Sequence, residues 1–426
     1  MTMRVSLLVS VVLVCSVLGA APASATAAWE VDLVAPGAGS TNVETDGGVR
    51  LGSGDNRAAS VAAGLRTGFA VYPRRLTVPA NGFAATVRSD VPTGAELAID
   101  VRGRVTDGEH NRADPHSQAG RHGQARDGAT ADSGQWTEWV EVRPGSPGVL
   151  PVAVTDVEVR AMLTAPEGVA SPTLSALSVV PVTVPGGRGP GAAVATAVGG
   201  LSYAVFATRE GLVGGTTANG HQIVARDHFV ALPSRRGLAG RNGGEYSVRV
   251  CAANGRCAWA PVWDVGPWNT RDDYWAGAGV RQEWLDLPQG TPASQAAYQH
   301  GYNNGKDQFG RTVANPAGID LADGTFWDGL KLKNNAWVTV TYQWTSALPA
   351  GYVRTPGDTL NVRTAPHGQA PIVGIAGNHA QVRVECAVVG EQVAGTQGTT
   401  SVWYRLAAGM YVSAAYVSGG GTAPAC

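Results

Sequence analysis

One aspartate at the end of a predicted strand is the best candidate for chemistry in this sequence. Residues 246–268 read as two strands joined at an Asn-Gly pair, which favours a two-residue hairpin turn. The second strand runs into Asp264, just before the turn residues Gly266 and Pro267. A carboxyl group held there could act as a general acid or base at the mouth of a small barrel. It could instead cap backbone N–H groups of the turn.

Cysteine usage points to an oxidising compartment. Of the five cysteines, Cys15 lies in the apolar N-terminal segment described below. The other four predict two disulfides, in which Cys251 pairs with Cys257 across the hairpin turn and Cys386 pairs with Cys426. Neither pair has the spacing of a zinc site, so we expect no metal and no cofactor.

The N-terminus has the form of a secretory signal peptide, which we assign to residues 1–25. Arg4 supplies the positive charge, residues 5–18 form the apolar segment, and residues 23–25 have the A-x-A form of a cleavage site. The apolar segment is too short to span a bilayer comfortably. We therefore expect an exported protein without a transmembrane segment.

Composition and patterning predict a mainly β chain of several domains. The 426 residues exceed one ordinary domain, and 57 glycines with 25 prolines favour turns over long helices. Apolar and polar residues alternate in many short runs, as in strands. The net charge of -1 gives no electrostatic reason to expect a nucleic-acid partner. The predicted units are a β-sandwich (29–185), a Gly-rich linker (186–200), a β-barrel domain (201–345), a small C-terminal barrel (352–418) and a tail (419–426).

Two features of the first domain have alternative interpretations. Trp136 and Trp139 lie in a run that is similar to accessory sandwich modules of secreted bacterial wall and sugar enzymes. Their rings could bind carbohydrate or belong to the core. The polar loop at residues 107–134 carries three histidines among carboxylates, and it could hold zinc or copper or simply be solvated.

The central domain resembles a known family of barrels. Its motifs are Thr-Ala-Asn-Gly at 217–220, Ala-Leu-Pro at 231–233, the hairpin leading into Asp264, and Gly-Ile-Asp-Leu at 318–321. Their order is similar to the six-stranded double-psi β-barrel of the rare lipoprotein A family and, more distantly, to expansins and barwin-like barrels. The resemblance implies a lytic transglycosylase that cleaves peptidoglycan glycan strands with Asp264 as acid/base.

The resemblance also implies further catalytic residues. The family has a histidine at the position that Phe229 occupies here, and His228 stands one step away. One step along a strand turns a side chain to the other face, so either a bulge brings His228 into the groove or the histidine is absent. Asp320, like Asp264, could be catalytic or could cap a turn. Related barrel endoglucanases use two aspartates for an inverting hydrolysis, and Asp264 with Asp320 could form such a pair.

Aromatic and polar residues around these positions are the predicted substrate contacts. Trp263 and Trp268 flank Asp264, where they can raise a carboxyl pKa through an apolar setting and stack on sugar rings. The insertion between Asn269 and Ala317 either shapes the groove or is a packed, solvated loop. The predicted contacts in this domain are Thr217, Asn219, Trp263, Trp268, Tyr274 and Trp275.

The C-terminal domain resembles a bacterial SH3-type barrel. The resemblance rests on Leu-Asn-Val-Arg at 360–363, Trp-Tyr-Arg-Leu at 403–406 and Tyr-Val-Ser at 411–413. It implies a module that holds cell-wall peptides or cross-bridges. Trp403 and Tyr404 are its predicted ligand contacts, although both could instead be core residues.

These observations predict a secreted, cell-wall-associated protein whose partner is peptidoglycan or a related wall polysaccharide. The C-terminal module tethers it, and the central barrel cleaves the glycan. The alternative is an expansin-like protein that binds or loosens the polysaccharide without cleaving it, which the displaced histidine favours. The sequence indicates no oligomer interface.

Overall fold

The computed structural model of this protein is mainly β, which confirms the class predicted from the alternation of apolar residues. It describes residues 28–53, 65–105, 135–184, 199–277, 279–357 and 359–426. The predicted signal peptide, the histidine-containing loop and residues 186–198 of the predicted linker lie outside the described residues. In the part of the chain that is described, no helix combines the length and apolar character needed to cross a membrane.

The N-terminal domain is one nine-stranded sheet that encloses an apolar core. Its strands are β1 (Trp29–Glu30), β2 (Val43–Glu44), β3 (Val49–Leu51), β4 (Leu65–Asp90), β5 (Glu96–Val105), β6 (Gln135–Trp136), β7 (Val140–Glu141), β8 (Gly148–Pro166) and β9 (Thr173–Val182). The long strand β4 pairs with β8 along its first half and with β9 along its second half. The register shifts between Arg75 and Ala80, so the sheet turns there and covers its own core as a sandwich.

The central domain is a closed six-stranded barrel with a helix in its insertion. Its elements are β10 (Ser202–Arg209), β11 (Val230–Leu232), β12 (Ser247–Ala252), β13 (Cys257–Val265), α1 (Ala293–His300), β14 (Ala317–Leu321) and β15 (Ala336–Tyr342). The strand order is β11-β14-β10-β15-β12-β13, and the pairing of β13 with β11 closes the ring. Long connections follow β10 and β13, and they carry most of the polar residues described below.

The C-terminal domain shares a sheet with the barrel. Its strands are β16 (Ala350–Val353), β17 (Thr359–Arg363), β18 (Ile372–Gly377), β19 (Gln381–Arg383), β20 (Cys386–Gly395), β21 (Gly398–Ala407), β22 (Met410–Ser413) and β23 (Val417–Gly419). Strand β18 pairs in parallel with β13, which makes one eleven-stranded sheet of the two domains. Short helical turns lie at Arg235–Gly237, Tyr302–Gly305, Thr325–Gly329, Gln343–Thr345 and Ala414–Tyr416.

Both predicted disulfides are confirmed. Cys251 and Cys257 are directly opposite each other on β12 and β13 and are bonded. Cys386, at the start of β20, is bonded to Cys426. The second bond ties the end of the chain to the C-terminal domain, where the backbone N–H of Cys426 also donates to Ala387.

Buried charges join the sandwich to the barrel. Arg160 of β8 binds Asp100 of β5 at 2.8 Å and donates to the carbonyl oxygen of Arg235 in the central domain at 3.0 Å. Arg102 of β5 binds Glu245 of the central domain at 2.9 Å. Because these side chains are shielded from water, each charge depends on its partner for compensation. The sandwich is therefore anchored to the barrel by specific ion pairs.

Candidate functional site

The fold brings together two aspartates that are distant in sequence. Asp264 of β13 and Asp320 of β14 both lie opposite Ala231 of the intervening strand β11. Residues in register on neighbouring strands share a face of the sheet, and two strand spacings separate the Cα atoms by about 10 Å. This arrangement meets the first requirement of the two-carboxylate hypothesis, which is that both side chains face the same region.

Asp264 is fully buried and holds a loop against the barrel. Its Oδ1 accepts hydrogen bonds from the backbone N–H groups of Ala218 and Val265, both at 2.8 Å. The bond from Ala218 fastens the connection after β10 to the end of β13. Asp264 therefore makes the capping contacts that were considered as the alternative to a catalytic role.

Glu210, which was not predicted from the sequence, completes a cluster of carboxyl groups. It directly follows β10, both of its carboxyl oxygens are buried, and it lies within reach of the charges of Asp264 and Asp320. Burial, reinforced by the charges of Asp264 and Asp320, raises the pKa of Glu210 well above its ordinary value. Like charges in one buried place favour a shared proton. The Glu210–Asp264 pair therefore holds a proton more tightly than an isolated carboxyl group does.

A sequence signal for Glu210 existed. Glu210 stands at the end of a strand and immediately before Gly211, a position similar to that of Asp264 before its Gly-Pro turn. What the sequence did not reveal is that the two strand ends lie side by side, because their contact is made only when the barrel closes.

Asp320 also has a perturbed pKa. This pKa is raised to about 7, because burial and, to a smaller extent, the charge of Asp264 outweigh the opposing hydrogen bond from the Thr208 hydroxyl. Asp320 is 9% exposed, so the cluster lies at the inner edge of the site rather than on the surface. Perturbed carboxyl pKa values gathered in one place are typical of functional sites.

A histidine–aspartate pair lies closer to the surface. His221 Nε2 is 2.5 Å from Asp227 Oδ2, and 21% of the His221 side chain is exposed. The Asp227 carboxylate also accepts backbone N–H groups of Val224 at 3.1 Å and His228 at 3.0 Å. Burial opposes ionisation of Asp227, but the hydrogen bond from His221 and these backbone donors outweigh it and lower its pKa. His221 has no strong signal in the sequence, because its partner Asp227 comes from a separate turn of the same connection.

Trp263 links this pair to the C-terminal domain. Its indole ring lies 4.5 Å from the His221 ring, 6.1 Å from Phe229 and 6.0 Å from His379 of the C-terminal domain, measured between ring centroids. Phe229 occupies the position where the resembled family has its histidine, and here it is fully buried against Trp263. An apolar ring thus takes the place of the expected polar one.

His228 points elsewhere. The β11–β13 register does shift, between Val230 and Ala231, but the His228 side chain packs against Gly324 and Gly377. A Cβ atom on Gly324 would come within 2.5 Å of the His228 ring, and one on Gly377 would lie 3.3 Å from His228 Cβ. His221, rather than His228, is the histidine beside Trp263.

Thr217 and Asn219 shape the loop that carries His221. Both are buried, and the Thr217 hydroxyl donates to Asn219 Oδ1 at 2.8 Å while it accepts the His221 backbone N–H at 3.0 Å. The Asn219 amide donates to the carbonyl oxygen of Gly240 at 3.1 Å. These contacts are made within the protein, so they position His221.

The predicted aromatic contacts divide into two groups. Trp268 is partly exposed, has a left-handed φ of 61° and donates from its indole N–H to Asn315 at 3.2 Å. Tyr274 and Trp275 are fully buried, and Trp275 donates to Glu138 of the sandwich at 2.9 Å. The predicted sugar-stacking role of Tyr274 and Trp275 is therefore corrected: their rings fill the core because the insertion folds back between barrel and sandwich.

Trp403 and Tyr404 lie apart from this site, in the C-terminal domain. Trp403 contributes to a groove of about 330 Å³, and its indole N–H donates to the carbonyl oxygen of Glu391 at 2.8 Å. Tyr404 belongs to the apolar core of that domain, and its hydroxyl contacts the carbonyl oxygen of Gly419 at 3.3 Å. Trp403 borders the groove although it is only 3% exposed, and Tyr404 is 8% exposed, so a ligand contact by either residue stays a prediction.

Comparison with known proteins finds one family model, which covers the central domain and names no activity. No curated protein and no solved structure matches the chain. The part of the chain that is similar to a family model is the central domain. Residues 201–341 match the model of a domain of unknown function (DUF8814).

Proposed function

We propose that the protein is exported and cleaves the glycan strands of a peptidoglycan-type wall polysaccharide, in the manner of a lytic transglycosylase. The observation that carries this proposal is the buried cluster of Glu210, Asp264 and Asp320, in which burial and like charges raise the pKa of Glu210 well above its ordinary value. Cleavage of a glycosidic bond needs a proton donor of this kind. The six-stranded barrel and the motif order that resembles rare lipoprotein A support the same function.

The proposed chemistry begins with proton transfer from the carboxyl pair to the glycosidic oxygen. The Asp264 carboxylate is fixed by two backbone N–H groups, so its position does not change when Glu210 exchanges the proton. Both carboxyl oxygens of Glu210 are covered. The proposal therefore requires that the bound glycan displace part of the loop after β10, where Leu212 and Val213 are exposed.

Location and tethering belong to the same proposal. The predicted signal peptide and the two disulfides favour an oxidising, extracellular compartment. The C-terminal domain, which resembles SH3-type wall-binding modules, has a groove containing Trp403 that would hold wall peptides.

A second function is favoured by the burial of Asp264. An acid that is fully buried and already caps two backbone N–H groups is well suited to a structural role. In that case the barrel binds or loosens wall polysaccharide without cleaving it, as expansin-like proteins do.

The test is incubation of the oxidised, full-length mature protein with purified peptidoglycan, followed by mass spectrometry of the soluble products. Wild type is expected to release anhydro-muropeptides, and Glu210→Gln and Asp264→Asn are expected to lower the rate about 100-fold or more. Asp90→Asn, an exposed carboxylate of the sandwich, is the matched control. Full activity in both site variants would rule out the carboxyl pair as the acid. Retained sedimentation with peptidoglycan but no released fragments would support the binding function.

A further inference from the structure

We propose that His221 is the general base of this site and that Asp227 is its positioning residue. This inference rests on the proposed glycan cleavage and assigns the second proton transfer of that reaction. His221 would accept the proton of the attacking hydroxyl group, while the Glu210–Asp264 pair supplies the proton of the leaving group.

The hydrogen bonds around Asp227 determine which nitrogen of His221 is the acceptor. Asp227 is held as a carboxylate by the backbone N–H groups of Val224 and His228 in addition to His221. A carboxylate only accepts hydrogen bonds, so Nε2 of His221 must carry the hydrogen that faces it. In the neutral ring Nδ1 then has a free electron pair, which is what a general base requires.

The charged groups near the His221 ring are one carboxylate and, farther away, a second histidine. They are Asp227 and, beyond Trp263, His379 with Arg354 at 3.3 Å from His379 Nδ1. Burial, the Arg354 charge and the His221 charge lower the pKa of His379. A proton on His221 therefore disfavours one on His379, and the adjacent Asp227 carboxylate compensates the new positive charge.

One loop connects the base to the acid. Ala218 donates to Asp264, and three residues later His221 donates its backbone N–H to Thr217. The same short segment is thus bonded to the carboxyl cluster at one end and to Asp227 at the other. The proposed base and the proposed acid are therefore held by the same connection after β10.

The proposed step conserves atoms and electrons. The carboxyl pair gives a proton to the glycosidic oxygen, and the bond from C1 to that oxygen breaks with its electron pair going to the oxygen. The C6 hydroxyl oxygen forms the new bond to C1 and loses its proton to Nδ1 of His221. Proton return from the imidazolium to the carboxyl pair through solvent restores the protein, so no cofactor or co-reactant is consumed.

The test compares His221→Gln, His221→Ala and Asp227→Asn in the full-length protein with the exposed His300→Gln as control. His221→Gln is expected to lower kcat about 100-fold or more and to remove the fall in rate on the acidic side of the pH profile. Added imidazole is expected to restore part of the rate of His221→Ala. Asp227→Asn is expected to lower kcat while His300→Gln matches wild type.

A second measurement is independent of turnover. Long-range proton–nitrogen NMR spectra are expected to show the Nε2–H form of His221 in wild type and a changed tautomer population in Asp227→Asn. Detection of the Nδ1–H form in wild type overturns the proposal. The proposal is also overturned if the rate of His221→Gln still falls at acidic pH as in wild type while Glu210→Gln is inactive. That outcome does not contradict glycan cleavage itself. A wild type that releases no fragments overturns both proposals together.

Discussion

The barrel meets its two neighbouring domains in physically different ways. On one side the sandwich is attached through side-chain charges, such as Arg235 with Glu96 and Arg102 with Glu245. On the other side the C-terminal domain is attached through the backbone, because β13 and β18 pair from Cys257 to Trp259. The first junction depends on particular residues, whereas main-chain pairing depends on the path of the chain. The two junctions should therefore fail under different substitutions.

The largest effect is expected from Asp100→Ala. This change leaves the buried Arg160 guanidinium without its carboxylate, which should destabilise the protein by about 3–5 kcal/mol in denaturant titrations. The double variant Asp100→Leu/Arg160→Met should recover most of the loss. Arg75→Ala, which removes an exposed ion pair of 3.8 Å with Asp156, should change stability by no more than about 0.5 kcal/mol. Equal losses for Asp100→Ala and Arg75→Ala would contradict a junction that depends on buried charge.

An intermediate effect is expected from Gly374→Ala at the backbone junction. A Cβ atom there would lie 2.1 Å from the carbonyl oxygen of Cys257, so the strands must separate at a cost of about 1–3 kcal/mol. Amide hydrogen exchange should accelerate at Ala258 and Trp259. Gly357→Ala, which has open space around its Cα, is the control. Unchanged exchange would mean that the shared sheet is not required.

The smallest effect, taken per pH unit, is a difference in pH response between the sandwich junction and the barrel interior. Burial opposes ionisation of Asp100, but Arg160 and Arg235 hold its pKa below the ordinary value. The contribution of Asp100 to the free energy of unfolding is therefore lost only below about pH 4. The pKa of Asp320 is raised to about 7. Between about pH 4 and pH 7 the unfolded chain therefore binds fewer protons than the folded one, and stability falls as pH rises, by up to about 1.4 kcal/mol per pH unit.

Urea unfolding of wild type and Asp320→Asn from pH 4 to pH 8 measures this response. The variant cannot ionise at position 320, so its free energy of unfolding should depend less on pH. The stability of the variant relative to wild type should therefore increase as the pH rises. Parallel curves would show that Asp320 ionises equally in the folded and unfolded states.

Much of the fold could be predicted because its signals are local. Alternating residues indicated strands, the Asn-Gly pair indicated the hairpin, and the positions of Cys251 and Cys257 indicated their bond. The two junctions could not be predicted. Arg160 and Asp100 have the alternating pattern of a half-exposed strand, and the β13–β18 pairing uses main-chain atoms that every residue has.

The candidate site was predictable only in part. Asp264 and Asp320 were identified from their motifs, and the fold places both opposite Ala231. Glu210 was not predicted because its strand end meets that of Asp264 only when the barrel closes, and His221 was not predicted because the fold of one connection brings it to Asp227. Tyr274 and Trp275 were assigned to the surface because an aromatic residue in an insertion gives no local indication of whether it faces solvent or the core.

The shared sheet has a mechanical consequence. Tension applied to the C-terminal domain reaches β13, the strand that carries Asp264, through the hydrogen bonds between Cys257–Trp259 and residues 374–376. Because β13 and β18 are parallel, a pull along the strands loads several of these bonds at once in shear instead of opening them one by one. The barrel and its C-terminal neighbour therefore respond to an external load as one body.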